Sequence, residues 1–182
     1  IMFKNYKLEA GAKFARSLTD NNLLREDKID GIWSPNQNLS SIFGYTENIS
    51  AAYVSVARQF GPKWSLKAGL RGEMTDATGN WTSADTTTHK TYTDLFPTLF
   101  VGYTPNKDFR FGLSYTKRVN RPRFFQLNPF RIYVDANSAV EGNPELMPQY
   151  SHMMGLTLGY KQHYSINLVG QINEGVIIQN PY

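Results

Sequence analysis

Trp64-Ser65-Leu66-Lys67-Ala68-Gly69-Leu70-Arg71-Gly72-Glu73-Met74-Thr75 is the stretch that decides the fold. Trp64, Leu66, Ala68, Leu70 and Met74 fall on one face of an extended chain. Ser65, Lys67, Arg71, Glu73 and Thr75 fall on the other. This is a period of two, the signature of a β-strand with one apolar and one polar face. Soluble strands usually run about 5–6 residues, and this one is far longer.

The same alternation recurs on both sides. Upstream, Tyr6, Leu8, Ala10, Ala12 and Phe14 share a face against Lys7, Glu9, Gly11 and Lys13, and this strand reaches Arg16. A second strand covers Phe43 to Phe60. There Ile49, Ala51 and Tyr53 oppose Asn48, Ser50, Ala52 and Arg58, although Val54 and Val56 blur the contrast. Downstream come Tyr92 to Thr104, Phe109 to Arg118, His152 to Tyr160 and Tyr164 to Ile172, with Gly175 to Gln179 as a continuation after a bend. The pattern predicts an all-β protein, an antiparallel up-and-down meander of about seven long strands.

The connections alternate in length. Gly61-Pro62-Lys63, Pro105-Asn106-Lys107-Asp108 and Lys161-Gln162-His163 are short turns. Ser17 to Ser41, Ala77 to Thr91 and Arg118 to Gln149 read as long loops. Antiparallel neighbours joined this way collect every short turn at one end, as outer-membrane barrels do. Aromatics flank the short turns: Phe60 and Trp64, Tyr103 and Phe109, Tyr160 and Tyr164. Such a ring suits a membrane–water boundary. The expected architecture is therefore part of a larger transmembrane β-barrel. Its polar face would be the lumen, carrying Lys7, Lys13, Arg58, Lys67, Arg71, Arg110 and Arg118 with Glu9 and Glu73. The alternative is a soluble antiparallel sandwich or barrel that buries Leu66, Leu70, Leu113, Leu156 and Ile166 under a second sheet.

The longest loop has no hydrophobic period and holds four prolines, Pro122, Pro129, Pro144 and Pro148. Proline has no N–H to give a sheet ladder. Leu127, Phe130, Ile132, Tyr133 and Val134 make it too apolar for disorder. It reads as a structured loop capping one end of the sheet.

Composition sets outer bounds. The chain has 182 residues, 41% hydrophobic and 14% aromatic, with eleven Tyr, eleven Phe, no Cys and a net charge of +4. Without Cys there is no disulfide framework, thiolate metal site or cysteine nucleophile. No run approaches the ~18 apolar residues of a membrane-crossing helix. His89, His152 and His163 are scattered, without metal-ligand spacing. Asp76 with Asp85, or Glu141 with Glu145, form no fixed acid/base pair. No enzyme, cofactor or metal site is expected. The positive charge is dispersed among acids, which argues against nucleic acid. Both chain ends abut strand patterns, so residues 1–182 read as a fragment of a longer barrel protein.

Several motifs carry a resemblance. They are Tyr45-Thr46-Glu47-Asn48-Ile49-Ser50-Ala51-Ala52-Tyr53, Trp64 to Glu73, Tyr92-Thr93-Asp94-Leu95-Phe96-Pro97 and Ser114 to Pro122, then Leu127-Asn128-Pro129-Phe130 and Gly142-Asn143-Pro144-Glu145-Leu146. Together they resemble the C-terminal barrel of TonB-dependent outer-membrane receptors, within the outer-membrane β-barrel group abundant in Bacteroidetes. The resemblance implies a barrel of about 22 strands around a plug, driven by the TonB complex and importing a nutrient, with a surface lipoprotein as a further partner. The plug domain and remaining strands would lie outside this chain, and its open sheet edges could self-associate. Arg118, Arg121 and Glu141, with Trp81 and Tyr133 as stacking surfaces, are the candidate substrate contacts. The competing reading of Arg118, Arg121 and Glu141 is loop architecture, with arginines satisfying carbonyls that a proline-rich backbone leaves unpaired. Glycan, siderophore, cobalamin and peptide substrates all stay open.

Overall fold

The computed structural model describes residues 2–3, 6–36, 40–133, 135, 138–161 and 163–178; the side chains of Met2, Phe3 and Tyr133 lie outside that description. In chain order the elements are β1 (Met2–Phe3), β2 (Tyr6–Leu23), β3 (Glu26–Ile29), β4 (Ile32–Pro35), β5 (Ser41–Phe60), β6 (Trp64–Trp81), β7 (Thr86–Tyr103) and β8 (Phe109–Asn120). A helical turn, α1 (Phe124–Leu127), follows, then β9 (Ile132–Tyr133), β10 (Ala139–Val140), β11 (Gln149–Tyr160) and β12 (Tyr164–Glu174). One sheet contains all the long strands in the order β1-β2-β5-β6-β7-β8-β11-β12. Its neighbours are antiparallel throughout. The seven-strand meander is the one the sequence predicts.

β2, β6 and β7, with 18 residues each, run well beyond their expected bounds. Ala77 to Thr91 is therefore not a long loop but the upper half of a hairpin, closed by a short 3-10 turn over Thr82–Ala84. Likewise β2 runs on to Leu23 and β5 begins at Ser41, so the first long connection is 24–40 and contains the β3–β4 hairpin. The alternation vanishes here because water-facing positions become polar on both sides. On the apolar face β6 reads Trp64, Leu66, Ala68, Leu70, Gly72, Met74 and then Asp76, Thr78, Asn80. On β7 the change falls between Leu95 and Thr93. Asp76, Thr78, His89 and Thr91 bond one another across this upper surface. The apolar band from Trp64 to Met74 spans roughly 33 Å of strand, or about 25 Å of height at the usual barrel tilt.

The register assigns the faces. Tyr53 lies opposite Arg71, Ala51 opposite Glu73 and Ile49 opposite Thr75, so these three β5 residues belong to the polar face. This reverses the expected facing of β5. Val54 and Val56 occupy the apolar face, opposite Leu70 and Ala68. Arg58 is also there, opposite Leu66 and Tyr6, and does not point inward as expected. Alternation misleads on β5 because Ile49, Ala51 and Tyr53 are covered on the polar face by other parts of the chain or lie over glycine. Tyr53, for example, lies across Gly11, where a Cβ would come within 2.6 Å of the ring.

The buried core is not between two sheets. Phe43, Ala51, Glu73, Thr75, Ala77 and Phe96 are buried strand residues, and all lie on the polar face. Phe43 packs against the loop residue Phe130, Arg121 bonds Glu73 and Thr75, and Leu127, Asn128 and Phe130 are themselves buried. The apolar face is bare: Leu70 is 45% exposed, Leu113 53% and Ile166 58%. Among the described residues no second sheet covers it. The longest loop thus folds over the polar face of β5–β7, not across one end of the sheet.

Pro97 explains where that loop departs. β7 and β8 pair only from Thr98↔Thr116 to Tyr103↔Phe111. The next β7 residue is Pro97, which has no N–H to extend the ladder. Above it β8 leaves β7 and stays with β11. The opening is tied by the Tyr150 hydroxyl, which donates to Asp94 at 2.7 Å. β12 ends at Glu174, and Gly175 turns with a φ of 67°, so no strand continues through 175–178; Gln179 lies outside the described residues.

Candidate functional site

The site is built where the loop meets the polar face. Two Asn-Pro turns shape the loop. Asn128 Oδ1 accepts from the Phe130 N–H, and Asn143 Oδ1 accepts from the Glu145 N–H at 2.8 Å. In each, the side-chain amide replaces a backbone partner two residues on, and the intervening proline needs none. The two turns are sewn together by Gly142 N–H to Asn128 C=O at 2.9 Å and Asn143 N–H to Gln126 C=O at 2.7 Å. The Arg123 N–H donates to Gln126 Oε1, capping α1. Gly142 is required for this approach: a Cβ there would stand 2.5 Å from the Asn128 carbonyl oxygen and 2.6 Å from that of Gln126.

Arg121 fixes the loop to the wall. Its Nη2 donates to Glu73 Oε2 at 2.7 Å and to Thr75 Oγ1 at 3.0 Å, with Glu47 at 3.9 Å. Glu73 is 5% exposed and also pairs with Arg71 at 2.6 Å. A buried carboxylate between two guanidiniums is compensated on both sides. Lys90, on β7, donates from Nζ to the carbonyls of Pro144 and Leu146. Burial lowers its pKa, only partly opposed by the charge of Glu145. Nearby, burial and then the Glu47 charge push the Tyr45 phenol well above its ordinary value. Phe43 packs against Phe124 and Phe130, which closes the apolar side of the joint.

The lower part of the polar face is different. It forms an open groove of about 790 Å³ whose lining includes Lys7, Ser65, Lys67, Gly102, Ser114 and Thr157. Its lining is mostly small and cationic, with Gln59 and Phe100, and among the described residues no part of the loop lines it.

The aromatic ring is present. Trp64 stacks on Tyr103 with centroids 4.2 Å apart, Phe109 packs on Tyr160 at 4.9 Å, and Tyr160 on Tyr164 at 6.5 Å. With the bare apolar band above it, this ring describes a surface made for lipid. A model of the outer membrane protein beta-barrel family matches residues 2–182.

The chain belongs to the outer membrane protein beta-barrel family.

No curated protein matches it. The family places the chain in the outer membrane, with its apolar face toward lipid and its polar face toward the barrel lumen. The short turns then mark the periplasmic end and the loop the extracellular half of the lumen.

Of the five expected contact residues, the four with described side chains have separate partners. Arg121 is the loop staple just described. Arg118 is exposed on the lumen face opposite Ser151. Glu141 accepts from Arg131 through both Nε and Nη2 at 2.8 Å, within the loop. Trp81 donates from Nε1 to Ser41 at 2.6 Å near the tip of the β6–β7 hairpin. The backbone of Tyr133 lies in β9, and its side chain is outside the described ones. No hydrogen bond or ion pair joins any two of the four described side chains. Arg121 and Glu141 both make contacts that shape the loop, although Arg121 reaches carboxylates and not the carbonyls expected of it. Sequence reasoning missed Glu47, Lys90 and the Tyr150–Asp94 tie. The available signal was an acidic pair, Glu47 and Glu73, on neighbouring strands facing a loop that opens with Arg121.

Proposed function

We propose that this barrel is part of a TonB-dependent receptor that imports a nutrient into the periplasm. The observation that carries this reading is the loop bound inside the lumen by the Arg121–Glu73–Arg71 network. A diffusion pore needs an open lumen. A receptor needs a closed one that binding and inner-membrane energy can open. The Ser114 to Pro122, Leu127 to Phe130 and Gly142 to Leu146 motifs support the same reading, since they build that loop. The open lower groove has room for a plug, and its Lys7, Lys67 and small residues suit close approach of a second domain.

Two measurements test this on the intact protein. Growth on glycan, siderophore-bound iron or corrinoid should depend on the protein in cells with TonB and lose that dependence without TonB. Reconstituted in a planar bilayer, the protein should pass no steady current. Uptake that survives loss of TonB, or a constant open-channel conductance, would refute the receptor reading while leaving the barrel intact.

A further inference from the structure

We propose that Arg58 forms a binding site for the phosphodiester of a periplasmic-leaflet glycerophospholipid. Among the described residues, Arg58 is the charged side chain on the lipid face nearest the aromatic ring; Lys117, opposite His152, lies higher on that face. It is held, not merely tolerated. Its guanidinium lies 4.2 Å from the Tyr6 ring and 4.4 Å from the Phe60 ring, a cation between two π faces. Nη1 donates to the Tyr6 hydroxyl. Nε is enclosed and has no partner. No acidic side chain faces it: its register partners are Tyr6 and Leu66.

That arrangement fixes the plane of the guanidinium and leaves Nη donors free beside lipid. A planar fork of donors matches two oxygens of a phosphate. Depth agrees, because Arg58 is two residues from the ring residue Phe60, where a cation reaches the headgroups and is least costly. The rim below is cationic as well. Each short turn carries one lysine, Lys63, Lys107 and Lys161, against one acid, Asp108. Lys63 follows Phe60 directly through Gly61-Pro62. The anion available at this end of an outer-membrane barrel is the phospholipid of the inner leaflet, so the occupant is a lipid and not a sugar-bearing outer-leaflet molecule.

The test uses the intact protein in detergent, with native mass spectrometry to count retained phosphatidylglycerol. R58Q should lose one retained lipid, with about a tenfold fall in apparent affinity, while R58K falls less. K13Q, on the lumen face, should match wild type. Wild-type protein in nanodiscs containing a phospholipid with a photoreactive headgroup should crosslink within 54–63. This second measurement stands even if R58Q does not fold. Equal lipid retention by R58Q, absence of crosslinks at 54–63, or equal displacement by soluble glycerol phosphate would each overturn the proposal, the last by marking a free-anion site.

Discussion

Replacing Arg121 by methionine should release the lumen loop without unfolding the barrel. The side chain makes a charge-assisted bond to Glu73 and a second bond to Thr75, and both acceptors are buried, with Thr75 at 0% exposure. Cutting a buried ion pair on one side commonly costs about 3–5 kcal/mol. Here Glu73 keeps Arg71, so the loss is nearer the ~1.5–3 kcal/mol of one charge-assisted bond. At about 1.4 kcal/mol per tenfold, loop docking should weaken roughly 10- to 100-fold. Amide hydrogen exchange reads this directly. Amides in 122–130 and 141–148 should lose protection by that factor, while β8, β11 and β12 keep theirs. Trypsin should cut at Arg123 and Arg131 in the variant first. Pairing R121M with E73Q should recover part of the loss, because the stranded charge is removed. Unchanged protection in R121M would refute the idea that this ion pair holds the loop. Equal loss across all strands would show that the residue supports the barrel and not the loop alone.

Three other outcomes follow from the geometry. G142A places a methyl 2.5 Å from a carbonyl oxygen that backbone bonds hold in place, so loop protection should fall by about 1–3 kcal/mol, whereas G170A meets nothing within 4 Å and should be near neutral. L113R puts a charge mid-band on the lipid face and should lower unfolding free energy in lipid vesicles by roughly 2–4 kcal/mol, while S114R, one residue on and facing the lumen, should cost under about 1. Burial lowers the pKa of Lys90, so the docked state holds fewer protons than the released one between that lowered value and 10.5. Loop protection should therefore rise with pH across that alkaline window, and K90M should flatten the difference; a wild-type profile parallel to that of K90M would count against a partly buried Lys90 whose charge the docked loop disfavours.

The strands that were legible in the sequence are those whose two faces meet different solvents. Trp64 to Met74 and Phe109 to Tyr115 alternate cleanly because one side meets lipid and the other lumen water. The upper half of β6 and β7 was illegible for the same reason. Above Met74 the outer face is wetted, so Asp76, Thr78 and Asn80 erase the contrast that marks a strand. On β5 the signal inverted, because apolar Phe43 and Ala51 are buried under other parts of the chain on the face named polar. The candidate site fared likewise. Arg121 stood out as a loop cation, but its partners Glu73 and Glu47 lie 48 and 74 positions upstream on two strands.

What the sequence determined alone is local: the alternating stretches of the strands and the short turns with their aromatic ring, each set by neighbours within a few residues. Only the tertiary structure decided which face Arg58 takes, where the β7–β8 ladder stops, and that the long loop lies over the polar face. Those depend on register, and on a cross-strand charge pairing that forms only when distant segments meet, so periodicity carries no trace of them.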